Sequence, residues 1–180
     1  MAAVLGLGHA LVAQICEEAK DAGVVQVANL NAPGQTVIAG AAAAVQRAAE
    51  LAKAKGAKRA IPLPVSAPFH SALMAPAAAR LEVILRGVTF RDLRVPVVTN
   101  VDADLLTEGV RVPDVLVRQV TAPVRWEEVV TRLVKEGAGT FVEVGPGKVL
   151  SGLIRRIAPE ARVLNVEDGA SLDATVKALK

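Results

Sequence analysis

The sequence predicts an α/β protein: a ferredoxin-like βαββαβ subdomain over residues 1–65, then a second, partial α/β region over residues 66–180. Three observations carry this. Apolar patterns in the first 65 residues alternate between strand and helix periodicity in the order β-α-β-β-α-β. The two central strand runs flank Asn31-Ala32-Pro33-Gly34, a turn signature that makes them a hairpin. Beyond residue 66, strand runs alternate with helices, the mark of an α/β layer with parallel strands, yet only two or three such strands are present.

Taken in order, Ala2–Leu7 is a short apolar strand. Leu11, Val12, Ile15, Cys16 and Ala19 recur at helical spacing, and Gly23 closes that helix. Strands follow at Val24–Leu30 and Gln35–Ala39. A helix spans Ala41–Lys55, with Val45, Ala48, Ala49, Leu51 and Ala52 as its apolar stripe, and a strand spans Arg59–Val65. In the second region helices are predicted over Met74–Arg86, Pro113–Val120, Trp126–Glu136 and Val149–Ile157. Buried-type strands are predicted at Pro96–Asn100 and Thr140–Val144, and a last strand at Arg162–Val166. Ser171 is the expected cap of a terminal helix. So few parallel strands can hardly bury two sheet faces, so residues 1–65 are expected to be the more stable unit.

Composition narrows the function. Hydrophobic residues make up 52% and aromatics 2%, so the core has to be aliphatic. With 21 basic and 18 acidic residues and no basic run, nucleic acid is not the expected partner. No apolar run is long enough for a membrane span and the start has no signal-like pattern, so the protein reads as soluble and cytoplasmic. Cys16, the single cysteine, sits in a helical pattern as a small buried hydrophobe. There is no paired histidine or cysteine spacing, so no metal site is expected.

Few residues are suited to chemistry. His70 lies on a loop between Ile61-Pro62-Leu63-Pro64-Val65 and the helix starting near Met74. Histidine is the usual proton shuttle near neutral pH, and on position alone His70 could be catalytic or a buried, structural residue. Gly145-Pro146-Gly147-Lys148 follows a strand and opens a helix but lacks the spacing of a phosphate-binding loop, and reads as a structural turn. Gly6-Leu7-Gly8-His9-Ala10 only faintly resembles a nucleophile elbow. It has alanine where serine belongs, and His9 reads as an exposed helix-start residue. The acidic residues read as solvated charges on helix faces.

Four blocks identify the family the sequence resembles. Val27–Gly40 (VANLNAPGQTVIAG), Leu63–Met74 (LPVSAPFHSALM), Arg118–Trp126 (RQVTAPVRW) and Glu143–Leu150 (EVGPGKVL) closely resemble, in order, malonyl-CoA:acyl-carrier-protein transacylases of the bacterial type. The resemblance implies an acyltransferase of fatty acid biosynthesis. Its ferredoxin-like subdomain is inserted in an α/β-hydrolase-like subdomain, of which residues 66–180 form the carboxy-terminal part. It implies transfer of malonyl from malonyl-CoA to the phosphopantetheine thiol of acyl carrier protein through a malonyl-serine intermediate, with no cofactor. By the same resemblance His70 is the general base and Gln119 the residue whose backbone carbonyl orients it, while Phe69 and Asn31 are substrate-binding residues. Phe69 follows the malonyl-type pattern. The family's nucleophile elbow, oxyanion motif and malonate-binding arginine have no counterpart here. Ser66 and Ser71 flank His70, but neither lies on an elbow. The chain is therefore expected to be a carboxy-terminal portion, inactive alone, that associates with the missing half or with itself. The other reading is a non-catalytic interaction module that binds acyl carrier protein or self-associates.

Overall fold

A computed structural model describes all of residues 1–180. It divides into two compact units, Met1–Val129 and Val130–Lys180. In the first, β1 (Ala2–Leu5), α1 (His9–Glu18), β2 (Val25–Ala32), β3 (Gln35–Gly40), α2 (Ala42–Ala54) and β4 (Arg59–Pro62) build a four-stranded sheet in the order β2-β3-β1-β4. All its pairings are antiparallel.

Register follows from burial. Along β1, Ala2 and Val4 point into the core beneath α1 and α2, and they pair with Ile38 and Thr36 of β3. α2 meets the sheet through Ala44, Ala48 and Ala52, a fully buried i, i+4 stripe. Methyl side chains let a helix approach the sheet closely, which suits a chain with so few aromatics. Cys16 is buried in this core, and burial pushes its thiol up to about 11, where it stays protonated and unreactive. The β2–β3 turn places Pro33 before Gly34, whose φ of 70° only glycine adopts without strain. The opposite sheet face is lined by Ala28, Val37 and Ala39.

The remainder of this unit joins the sheet at the free edge of β2. A 3-10 turn at Ala72–Met74 leads into α3 (Ala75–Leu85), followed by β5 (Val97–Val98), β6 (Leu105–Leu106), α4 (Val112–Thr121) and the start of α5 (Trp126–Lys135). Val124 extends the sheet by a single parallel bridge to Asn29: Leu30 N–H donates to its carbonyl and its own N–H donates to Ala28, both at 2.8 Å.

In the second unit β7 (Thr140–Val144) pairs in parallel with β8 (Arg162–Val166), with α6 (Val149–Ile157) between them and α7 (Gly169–Leu179) after.

Several expectations need correction. Pro96–Asn100 shortens to two strand residues, paired antiparallel with Leu105–Leu106, and Val97 is 47% exposed. Thr140–Val144 is a strand but not a buried one, since Val144 is 78% exposed. Phe141 and Glu143 are partly covered while Thr140, Val142 and Val144 are exposed, so only one face of the strand is packed. The strand begun at Arg59 ends at Pro62, because Pro62 and Pro64 lack the N–H groups a ladder needs. The cap of α7 is Asp168, whose carboxylate accepts from Ser171 N–H while the Ser171 hydroxyl accepts from Asp168 N–H. Ser171 is thus the third helical residue of a reciprocal capping box.

Candidate active site

The sequence of α4 determines where its carbonyls go. Pro113 and Asp114 occupy the first turn, where a missing N–H and a negative charge are both tolerated. Pro123 stops the helix by forcing Ala122 into extended backbone, at ψ 152°. The Gln119 carbonyl would ordinarily accept from the N–H four residues on, but residue 123 is proline and has none. Ala122 N–H makes its ordinary helical bond to Arg118 O at 3.0 Å. The Gln119 carbonyl is therefore left to the His70 ring, with Nδ1 3.0 Å away.

A carbonyl only accepts, so the bond puts the proton on Nδ1 and leaves Nε2 as a lone-pair base. The Gln119 side-chain amide also approaches Nδ1, at 3.3 Å, but it donates to Ala122 O at 3.2 Å. No hydrogen bond is made at Nε2 of His70. His70 itself has φ 58°, a left-handed backbone that a non-glycine residue holds only when its surroundings enforce it. Such strain costs about 1–3 kcal/mol and concentrates at functional sites. Part of the enforcement is Ser71, fully buried, whose hydroxyl donates to Pro68 O at 2.6 Å.

The fixed end of α4 is braced by charge. Arg118 forms a two-pronged bond to Asp102, at 2.7 and 2.8 Å, and a third bond to Asp114 at 2.8 Å. Arg125 donates to Asp102 O at 3.0 Å and pairs with Glu128. The Arg118 guanidinium holds the Asp102 carboxyl below its ordinary value. A folded pKa below the unfolded one stabilises the fold above about pH 4 and ceases to do so as pH falls through the folded value. Urea midpoints should therefore fall more steeply between about pH 5 and pH 3 for the native chain than for Asp102→Asn. Parallel acid limbs would show that the pair contributes nothing.

Of the four expected site residues, His70 and Gln119 are brought together. Phe69 precedes His70 on the loop and is 41% exposed. Asn31 lies near the end of β2, and no hydrogen bond joins it to His70 or Gln119. His9 is not the exposed helix-start residue expected. Its Nδ1 lies 2.6 Å from the Thr36 hydroxyl and its Nε2 2.8 Å from Glu127 Oε2, so it ties α1 and β3 to the start of α5. Nor are the acidic residues all solvated charges. The Glu143 carboxylate accepts from Leu150 and Ser151 N–H at 3.0 and 2.7 Å. Desolvation opposes its charge, but these contacts prevail and its pKa is lowered. Gly147 N–H is taken by Glu167 at 3.1 Å. The amides around Gly145–Lys148 thus serve the protein's own carboxylates, as befits a structural turn. No group of three or more His, Cys, Asp or Glu side chains is placed to hold a metal ion, and no helix is long and apolar enough to cross a membrane.

Comparison with known proteins places the chain in a family. The malonyl CoA-acyl carrier protein transacylase of Bacillus subtilis (strain 168) is 46% identical over 181 residues, spanning 100% of this chain and 57% of its own length. The crystal structure of an acyl-carrier-protein S-malonyltransferase from Burkholderia pseudomallei 1710b superposes with a TM-score of 0.94 at 48% identity, over 98% of this chain and 57% of that one. A malonyl-transacylase in complex with a type II PKS acyl-carrier protein gives 0.95 at 42% identity, again over 98% and 57%. The chain therefore spans little more than half the length of the relatives it matches, and its α/β fold resembles the corresponding part of theirs. Since the acyl transferase domain pattern matches residues 1–172 of the 180, the chain belongs to the acyl transferase domain family.

Proposed function

We propose that this chain carries the general-base half of a malonyl-CoA:acyl-carrier-protein transacylase. The observation that supports the reading most is the 3.0 Å bond from His70 Nδ1–H to the Gln119 carbonyl, which leaves Nε2 able to take a proton. The third group of a catalytic triad is here a backbone carbonyl instead of a carboxylate. In the reaction Nε2 takes the proton of a serine hydroxyl as its oxygen attacks the malonyl thioester. The tetrahedral intermediate collapses, and the coenzyme A thiolate leaves with that proton. The phosphopantetheine thiol of acyl carrier protein next gives its proton to Nε2 and attacks the malonyl-serine ester. The serine oxygen then leaves and recovers a proton from His70. Such acyl transfer calls on serine and imidazole and needs no cofactor.

The nucleophile is proposed to lie outside these 180 residues. Ser71 is buried and bonded to Pro68, and Ser171 is engaged in the α7 capping box. Phe69 and Asn31 are proposed as substrate-binding residues. Acyl carrier protein is the proposed partner, as in the complexed relative, and the cytoplasm the proposed site of the reaction. The four-stranded unit of residues 1–65 is read as the ferredoxin-like subdomain, and residues 66–180 as part of the α/β-hydrolase-like one.

The test is malonylation of holo acyl carrier protein. The purified 180-residue chain should give no transfer, and a fusion to the amino-terminal portion of a full-length relative should restore it. Turnover by the chain alone at the rate of that relative would overturn the assignment of the nucleophile.

A further inference from the structure

We infer that Gln26 is a positioning residue for His70, holding the histidine loop and the end of α4 in register through one side-chain amide. The inference rests on the reading of His70 as the general base. Gln26 lies in β2 opposite Ala39, so its side chain leaves the sheet on the face away from α1 and α2. There its Oε1 accepts from Ala72 N–H at 3.0 Å. Its Nε2 has two protons and two acceptors, Thr121 O at 3.3 Å and His70 O at 3.5 Å.

These contacts are unusual in what they join. His70 O belongs to the left-handed residue itself and Ala72 N lies just beyond Ser71, while Thr121 O is two residues beyond the carbonyl that receives Nδ1–H. One amide thus ties the segments that carry the two partners of the His70–Gln119 bond to β2. The Gln119 amide approaches Nδ1 but donates to Ala122 O, so it does not make this link. Without the grip, the loop and the helix end are each free to shift by the few tenths of an ångström that separate a bonded Nδ1 from an unbonded one. The ring would then be released to its other tautomer, whose protonated Nε2 cannot act as a base.

The tautomer can be read directly, without turnover. In chain labelled with nitrogen-15 histidine, long-range proton–nitrogen correlation at about pH 8, where histidine is neutral, should show His70 protonated at Nδ1 and bare at Nε2. In Gln26→Met the Nε2–H form of His70 should rise about fivefold, the change that loss of one neutral hydrogen bond carries. The His9 signals, from the other face of the sheet, should stay in place. Gln26→Glu keeps the acceptor for Ala72 but loses both donated bonds, and should give the same change if Gln26→Met fails to fold. A transfer assay on His70 variants that shows no loss would remove the general-base reading, and the tautomer readout, which needs no turnover, tells that failure apart from failure of the Gln26 contact. An unchanged His70 tautomer in the variants would overturn the inference, as would His9 and His70 changing together, which is the mark of general loosening.

Discussion

His70→Ala, made in a fusion that supplies the nucleophile, should lower malonyl transfer to acyl carrier protein by about 10²- to 10⁴-fold, the usual worth of a positioned acid–base group. The loss should fall on kcat with little change in KM, because the imidazole acts on protons in flight and not on bound malonyl-CoA. The fold should survive. His70 is only half-buried, so removal of its ring opens no core, and alanine keeps the Cβ of the left-handed residue. The far-ultraviolet circular dichroism and urea midpoint should therefore match the parent, and transfer within about tenfold of the parent would exclude His70 as the base. His9→Ala is the natural contrast. It removes the tie among α1, Thr36 and Glu127, so its cost should appear in stability and not in the chemical step.

The second large effect is at Gly40, the last residue of β3, which faces Val25 across the hairpin. A Cβ there would stand 2.7 Å from Val25 Cα and 2.8 Å from the Val24 carbonyl carbon, closer still to its oxygen. These are backbone atoms and cannot step aside as a flexible side chain would. The same carbonyl receives Ala41 N–H at 2.7 Å and so anchors the entry to α2. Gly40→Ala is expected to cost about 3 kcal/mol, at the high end for a single small substitution. The measurement is a urea midpoint lowered with unchanged slope. Gly152→Ala, within α6 and with nothing near its missing Cβ, should instead gain up to about 1 kcal/mol from helix propensity. A Gly40→Ala midpoint no lower than the parent's would mean that β2 and β3 separate at no cost.

The chain's legibility depended on how local each signal was. The order of strands and helices through residue 62 could be read because hydrophobic period and turn residues sit within a few positions of each other. Ala44, Ala48 and Ala52 report their own burial by spacing alone. β6 could not be read, since two residues, Leu105 and Leu106, are too short to show a period. Nor could the exposure of Val97 and Val144, because an apolar run states a preference for burial and not whether a partner is at hand. At the site, the motif around His70 pointed to the histidine, but its left-handed backbone is a property of packing. Gln26 was invisible, as a polar residue in a strand 44 positions from the loop it holds. His9 was misjudged for the same reason: Glu127 lies 118 positions away.

The bond between His70 and α4 has an unusual kind of robustness. Its acceptor belongs to the main chain, so no side-chain exchange at position 119 can delete it. A mutational scan of Gln119 would score the loss of the amide that bonds Ala122 and miss the group that faces the imidazole. The handle on that carbonyl is four residues away. Pro123→Ala would restore an N–H where the helix lacks one and set an internal competitor against His70 for the same lone pair. The genetic vulnerability of this contact thus lies at a proline that never touches the histidine, in the rule that ends the helix.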